Sequence, residues 1–274
     1  MKGQSARTLV HLEQDPGQSQ VLLEKLAPSL VLKVKCQELV ARCSVAVVEN
    51  GVRTMSIEQE RALDVLIRVF ERQMNDLEAQ TTSEDDKLHA RLCRLAIEVF
   101  HFFKNQTVLS TGCLSRVLAA ACAVVDSIEN LGQRLSSLCI APVQVDFGIL
   151  LASMTLLRIL KGFPSEDLHI ERARSSFFTV INLARQMSFA SNDRAAKAVI
   201  ILNQLWNSTK AFRKSDGTEY TALRIRSRLV HSPVVDAVWW WRDEFDPQAR
   251  AMGSSQGDAS EGSSSPSHQE RIHY

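Results

Sequence analysis

Apolar side chains recur at intervals of three and four along most of the chain, and strict apolar–polar alternation is almost absent. That period places the apolar residues on one face of successive α-helices. Gln18 to Val48 is periodic in this way, with Pro28 dividing or kinking it, and Asn50-Gly51 closes the stretch. Ser56 followed by Gln59 reads as a capping box. It opens a helix whose Leu63, Leu66, Ile67, Phe70, Met74 and Leu77 share a face. Ser83-Glu84-Asp85-Asp86 puts carboxylates where the unpaired amides of a helix start favour negative charge. The helix behind them is expected from about Lys87 to Phe103, with Leu92, Leu95, Ala96, Val99 and Phe103 inward. Gly112 to Leu135 is rich in Ala and Val, small enough for close helix approach, and reads as a central helix. Beyond the break at Pro142, Val145 to Leu160 is a second core helix.

Gly162-Phe163-Pro164 interrupts the pattern before a helix over Glu166 to Met187. Ser191-Asn192-Asp193 supplies a cap for a helix expected to reach Phe212, with Val199, Leu202, Leu205 and Trp206 on one side. Lys214-Ser215-Asp216-Gly217 is a turn. Ser232 before Pro233 gives an N-cap and a proline at the first helical position. That last helix contains Trp239, Trp240 and Trp241 and ends near Phe245. After Pro247 the composition shifts to Gly, Ser, Gln and Glu, which cannot bury enough surface to offset chain entropy. The expectation is an all-α, multi-helix globular domain over residues 18–246. A flexible N-terminus (1–17) and a disordered C-terminal tail (247–274) flank it.

Composition narrows the partners. Among 274 residues, 32 Lys and Arg nearly cancel 31 Asp and Glu, leaving a formal charge of +1. A chain that lives on phosphate contacts carries a basic stripe, so no direct sequence-specific DNA binding is expected. Met1 to Gly17 has no apolar core, which argues against a secretory signal. The longest apolar stretches, Val117–Val125 and Phe147–Leu157, fall short of the roughly 18 residues a spanning helix needs. They read as core helices, so no membrane is expected and the location is intracellular.

The six cysteines (Cys36, Cys43, Cys93, Cys113, Cys122, Cys139) are scattered with no C-x-x-C pair. Six thiolates closing on two zinc ions need paired ligands in a short segment. The thiols are therefore expected to be buried, reduced and structural, with no metal site. Enzyme signatures are missing: no G-x-S-x-G, no phosphate-binding glycine loop, no H-E-x-x-H. His101, between Phe100 and Phe102, reads as a packed core histidine. Glu166-Asp167 and Glu84 to Asp86 read as helix-start charges, and Glu171 with Arg174 as a surface ion pair.

Two features are sharper. Arg224, Arg226 and Arg228 alternate around Leu223, Ile225 and Leu229, with Arg213 and Lys214 upstream. Guanidinium groups bind carboxylates in bidentate fashion, so an acidic-metabolite contact is one reading. Structural ion pairs with Asp236, Asp243 or Glu244 are the other. The Trp239-Trp240-Trp241 triplet fans over roughly 200° of a helix. One or two rings then fill the core, and the remainder forms an interface or ligand wall or lies against the chain. Arg224, Arg226, Arg228, Trp239, Trp240 and Trp241 are the candidate effector or interaction surface.

The segments Ala173–Ser188 and Ile201–Ser208 resemble the middle-homology region of fungal binuclear-zinc-cluster transcription factors. Leu223-Arg224-Ile225-Arg226-Ser227-Arg228-Leu229, then Val234-Val235-Asp236 and Trp239 to Phe245, is similar to the end of regulators of the leucine-biosynthesis-activator type. Phe70 to Glu78 and Val99 to Phe103 extend the likeness, which covers roughly Ser56 to Asp246. The resemblance implies a nuclear transcription regulator (otherwise a cytoplasmic protein) whose helical domain senses a carboxylate-bearing metabolite. It also implies a protein partner or homodimer. The family's zinc cluster has no counterpart in this sequence, so zinc is expected only in a full-length relative and no cofactor is expected here. The alternative is a helical enzyme of a specialised-metabolism cluster.

Overall fold

The computed structural model describes residues 25–52, 55–105, 110–162, 170–213, 217, 220 and 222–246. Both expected flanks, 1–17 and 247–274, lie outside these residues, as do Glu166-Asp167 and 214–216 of the expected turn. The described residues form eight α-helices with three short 3-10 turns and no β-strand. In chain order the helices are α1 (Pro28–Asn50), α2 (Ile57–Glu78), α3 (Glu84–Glu98), α4 (Thr111–Arg134), α5 (Val143–Gly162), α6 (Ile170–Met187), α7 (Arg194–Asn207) and α8 (Ser232–Phe245). The fold is all-α.

Several ends follow the sequence closely. Ser56 and Gln59 exchange the two hydrogen bonds of a capping box at the start of α2. Ser83 accepts from the Asp86 amide at the start of α3. Asp193 caps α7, accepting from Ala196 N at 2.8 Å and from the Phe189 and Ala190 amides behind it. Of the two readings of Pro28, the structure has the dividing one: Pro28 begins α1, where its missing N–H is tolerated in the first turn. Other ends differ. Ser232 lies inside α8, and the residue before the helix is His231, which makes no side-chain cap bond. The helix expected to reach Phe212 ends at Asn207, where Lys161 of α5 donates to the carbonyls of Trp206 (2.7 Å) and Ser208 (2.6 Å). A cation from a neighbouring helix satisfies carbonyls that the helix itself leaves open.

The largest departure lies at the end of α3. The helix stops at Glu98, and Val99–Phe103 tightens into a 3-10 turn whose five side chains are all fully buried. Phe100 and Phe103 pack edge to face at 5.2 Å, so the turn drives aromatic bulk into the core and takes His101 and Lys104 with it.

Helices α1, α2 and α3 pack pairwise, and α3 lies on α4. Helix α4 then packs on α5 and α6, α7 covers α5 and α6, and α8 lies on α5 and α7. One core runs from Cys36 in α1 to Ala237 in α8. By length and composition α4 and α5 are apolar enough to cross a bilayer, more so than their uninterrupted apolar stretches suggest. Most of each is buried against neighbouring helices in this fold.

The core also holds an ion pair. Arg158 of α5 and Asp236 of α8 are both fully buried and bonded to each other. Arg158 also donates to the carbonyl of Ala222 (3.3 Å) and lies 4.6 Å from the Phe212 ring centroid. The other oxygen of Asp236 accepts the backbone amides of Arg224 and Ile225, both at 3.0 Å. Leu223 N completes the attachment by donating to the Phe102 carbonyl at 3.0 Å.

Removing one partner leaves an uncompensated charge in the interior, which costs about 3–5 kcal/mol. Asp236→Ala is expected to lose that much in urea denaturation. Arg158→Met with Asp236→Leu is expected to recover most of it, since well-packed apolar replacements are often neutral. A single variant losing less than about 1 kcal/mol contradicts this account.

Candidate functional site

The segment 222–228 runs between α5, α8 and the Val99–Phe103 turn, held by the Asp236 and Phe102 bonds. Its side chains divide. Arg224 is committed to structure: its guanidinium stacks 3.9 Å from the Trp240 ring centroid and pairs with Asp243 at 3.0 Å. It also lies 3.7 Å from Asp236. Trp240 in turn packs on Phe212 at 5.7 Å. Trp241 points the other way and donates to Gln204 of α7 at 2.6 Å. Trp239 is 45% exposed with Arg242 over its ring. The rings thus fan around α8, and of the six candidate residues only Arg224 and Trp240 form a stacked pair. Arg228 is exposed. Glu171 and Arg174 do pair at the surface, at 3.5 Å.

Arg224 and Arg226 line a groove of about 520 Å³, walled also by Val48, Val52, Ile225, Ser227 and Leu229. Arg226 Nε donates to the Leu223 carbonyl at 3.3 Å, and its guanidinium forms no ion pair within 4.0 Å among the described residues. Burial lowers its pKa, while Tyr220 and Glu60 pull it back up. Leu229 sits in the groove wall with φ at 50°, a left-handed conformation costly for a side chain branched like leucine.

A second constellation was not legible as a site in the sequence. Asp64 (α2), His101 and Lys104 (the 3-10 turn and the residue after it) and Cys113 (α4) converge in the interior. Lys104 Nζ is 2.6 Å from Asp64 Oδ1 and 3.4 Å from Cys113 Sγ. The Cys113 thiol is 3.3 Å from Asp64 Oδ1, and the Ser110 hydroxyl donates to Sγ at 3.1 Å. Arg116 Nη2 reaches Sγ at 3.7 Å and His101 Nε2 at 3.2 Å. Since a guanidinium only donates, Nε2 is the acceptor and the proton of a neutral imidazole sits on Nδ1. Nδ1 is buried without a hydrogen-bond partner, 3.8 Å from Asp64 Oδ1. Burial lowers the His101 pKa from its ordinary value, and contact with Cys113 pulls it back up.

Behind this group, burial raises the pKa of Glu98, and burial together with Glu98 raises that of Glu71. Arg116 Nε lies 3.5 Å from Glu71 and 4.0 Å from Glu98, and Arg94 lies 3.5 Å from Glu71. Burial opposes the Cys113 thiolate, but His101, Ser110 and the Lys104 ammonium outweigh it and bring the thiol to about 6. Cys113 also lies in the first turn of the 24-residue α4, where the helix dipole favours an anion. Asp64, though partly desolvated, is held down to about 2, chiefly by Lys104.

Four of the other five thiols, Cys36, Cys43, Cys93 and Cys122, are buried as the sequence suggests, and Cys139 is not. Burial pushes Cys36 up to about 11 and Cys43 to about 12, and raises Cys93 further still. All six are free, with Cys139 half-buried. Cys113 is the exception to the reading of inert core thiols, and His101 is buried among charges as well as aromatic rings.

The donor atoms of Asp64, His101 and Cys113 lie within 4.8 Å of one another, close enough for one metal ion to bridge. The charges weigh against a divalent cation. Lys104 already brings a positive charge to two of the three donors and Arg116 brings another. Each unit repulsion at about 4 Å amounts to about 4 kcal/mol at an effective dielectric of ~20.

Comparison with known proteins finds no matching family model, no similar curated protein and no matching solved structure. The likeness to binuclear-cluster regulators therefore rests on the quoted segments alone.

A thiol whose folded pKa is depressed stabilises the fold above its unfolded value, about 8.5. That contribution fades as pH falls and is gone below about 6. Relative to Cys113→Ser, the urea midpoint of the wild type is expected to rise between these limits. A difference independent of pH contradicts the thiolate assignment.

Proposed function

We propose that this chain is a helical regulatory domain that binds a small acidic effector, with Arg226 as the anion contact. The observation that carries the reading is the groove of about 520 Å³ lined by Arg224, Arg226 and apolar walls. Its volume falls within the range of small-molecule sites, and its Arg226 guanidinium has no carboxylate partner within 4.0 Å among the described residues. Arg224 is already matched by Asp236 and Asp243, so it supports the wall instead of competing for the ligand. The strained Leu229 backbone beside the groove fits a place where conformation is held for binding. The segments resembling fungal binuclear-cluster regulators favour transcription, in the nucleus, as the process regulated. A protein partner or second copy would carry the response.

The near-neutral chain neutralises few phosphates, so this reading includes no sequence-specific DNA contact and no catalysis. The alternative, a helical enzyme, draws on the convergence of Asp64, His101 and Cys113. Cys113 is only 4% exposed, which leaves no room for a bulky substrate at the sulfur.

Thermal shift measurements with a panel of dicarboxylates test the proposal. A bound effector raises the melting temperature by mass action, equivalent to about 2.7 kcal/mol at one hundred times Kd. Arg226→Ala is expected to abolish the rise with little change in ligand-free melting, and Arg228→Ala to leave it intact. If no carboxylate moves the wild type, or if Arg226→Ala responds as the wild type does, the proposal fails.

A further inference from the structure

The groove leaves the Asp64–His101–Lys104–Cys113 cluster unused. Four observations bear on what that cluster does, and they stand independently of the effector proposal. The first is charge. Lys104 Nζ, Arg116 Nη2 and the Ser110 hydroxyl all point hydrogens at Cys113 Sγ, at 3.4, 3.7 and 3.1 Å. Asp64 Oδ1, 3.3 Å from Sγ, accepts from the protonated thiol and opposes its charge. The three donors offset it, to suit a sulfur that carries negative charge and serves as a nucleophile.

The second is an orphaned donor. His101 is fully buried, and with Nε2 accepting from Arg116 its Nδ1–H has no acceptor at hydrogen-bond distance. It is 3.8 Å from the same Asp64 oxygen that touches Sγ. An unsatisfied buried donor costs free energy, and one small oxygen-bearing guest at the sulfur would satisfy it.

The third is access. Ser110 and Gly112 are exposed, and nothing lies within 4 Å of where a Gly112 side chain would begin. Cys113 itself is 4% exposed, and the exposed Ser110 places its hydroxyl 3.1 Å from Sγ. The fourth is the ammonium of Lys104, which occupies the side of the cluster that a metal ion would need.

We propose that Cys113 is a redox-reactive thiolate that reduces a small hydroperoxide and is held afterwards as a sulfenic acid. Sγ attacks one peroxide oxygen, the S–O bond forms and the O–O bond breaks. The sulfur gives up two electrons and the peroxide takes them. The departing oxygen leaves as hydroxide or alkoxide and takes a proton from Lys104, which regains one from water. Net, thiol and hydroperoxide become sulfenic acid and water or alcohol. The sulfur-bound oxygen accepts the orphaned Nδ1–H of His101. Asp64 keeps Lys104 in place, and Arg116 holds the ring tautomer with the Glu71–Glu98 pair behind it. Asp64, its pKa held down to about 2, is ionised.

The experiment uses the full chain, reduced and natively folded, treated with hydrogen peroxide in the presence of dimedone. Peptide mass spectrometry then reads the adduct at each cysteine. Near pH 6.5, Cys113 is expected to label at least about tenfold faster than the half-buried Cys139, as its thiolate character requires. Lys104→Met is expected to reduce that rate by about tenfold, and a milder surface change, Ser110→Ala, to alter it without loss of fold by circular dichroism. Labelling at Cys113 no faster than at Cys139, including no labelling at all, overturns the proposal. So does about one equivalent of zinc retained by the wild type after dialysis and lost in Cys113→Ser, because the thiolate would then be a metal ligand.

Discussion

The buried pair of Arg158 and Asp236 is the constraint on which the C-terminal half of this fold depends. Two charges withdrawn from water are tolerable only when each finds partners for its remaining hydrogen-bonding groups. Asp236 finds them in the amides of Arg224 and Ile225, and Arg158 in the Ala222 carbonyl. The requirement thereby fixes an irregular segment that helix packing alone would leave free. That segment carries Arg224 onto Trp240 and turns Arg226 into the groove. The position of the groove is thus a consequence of satisfying an ion pair in the core.

The N-terminal half resolves a similar problem with a larger network. Asp64, Glu71 and Glu98 face Arg94, Lys104 and Arg116, three acids against three bases. Low dielectric makes each imbalance expensive, so protonation states adjust until the cluster is close to neutral. What distinguishes Cys113 from the five other thiols is its neighbours. Burial raises Cys36, Cys43 and Cys93, while His101, the Ser110 hydroxyl and the Lys104 ammonium outweigh burial at Cys113.

The 3-10 turn Val99–Phe103 touches both regions. His101 within it faces the thiol, and the Phe102 carbonyl accepts the amide of Leu223 at the edge of the arginine segment. A turn whose five side chains are fully buried has few ways to move, so the two regions are held in one rigid frame.

Helical periodicity, the Ser56–Gln59 box and the caps at Ser83 and Asp193 were readable from the chain alone, because they depend on residues within one turn of each other. An all-α fold with α4 and α5 in its core follows from that local pattern. The ends at Asn207 and Glu98 were not readable. One depends on Lys161 reaching across from α5, the other on three aromatic rings finding a core to enter. The arginine and tryptophan residues stood out by type, but only folding divided them. Asp236 drew Arg224 into the structure and left Arg226 in the groove wall, while the geometry of α8 sent three adjacent rings to three environments. Asp64, His101 and Cys113 lie dozens of positions apart with no motif joining them. Their convergence, and the charge balance that makes one thiol of six unlike the rest, exists only once α2, α3 and α4 are packed. Ionisation depends on distances in space, which local sequence does not encode.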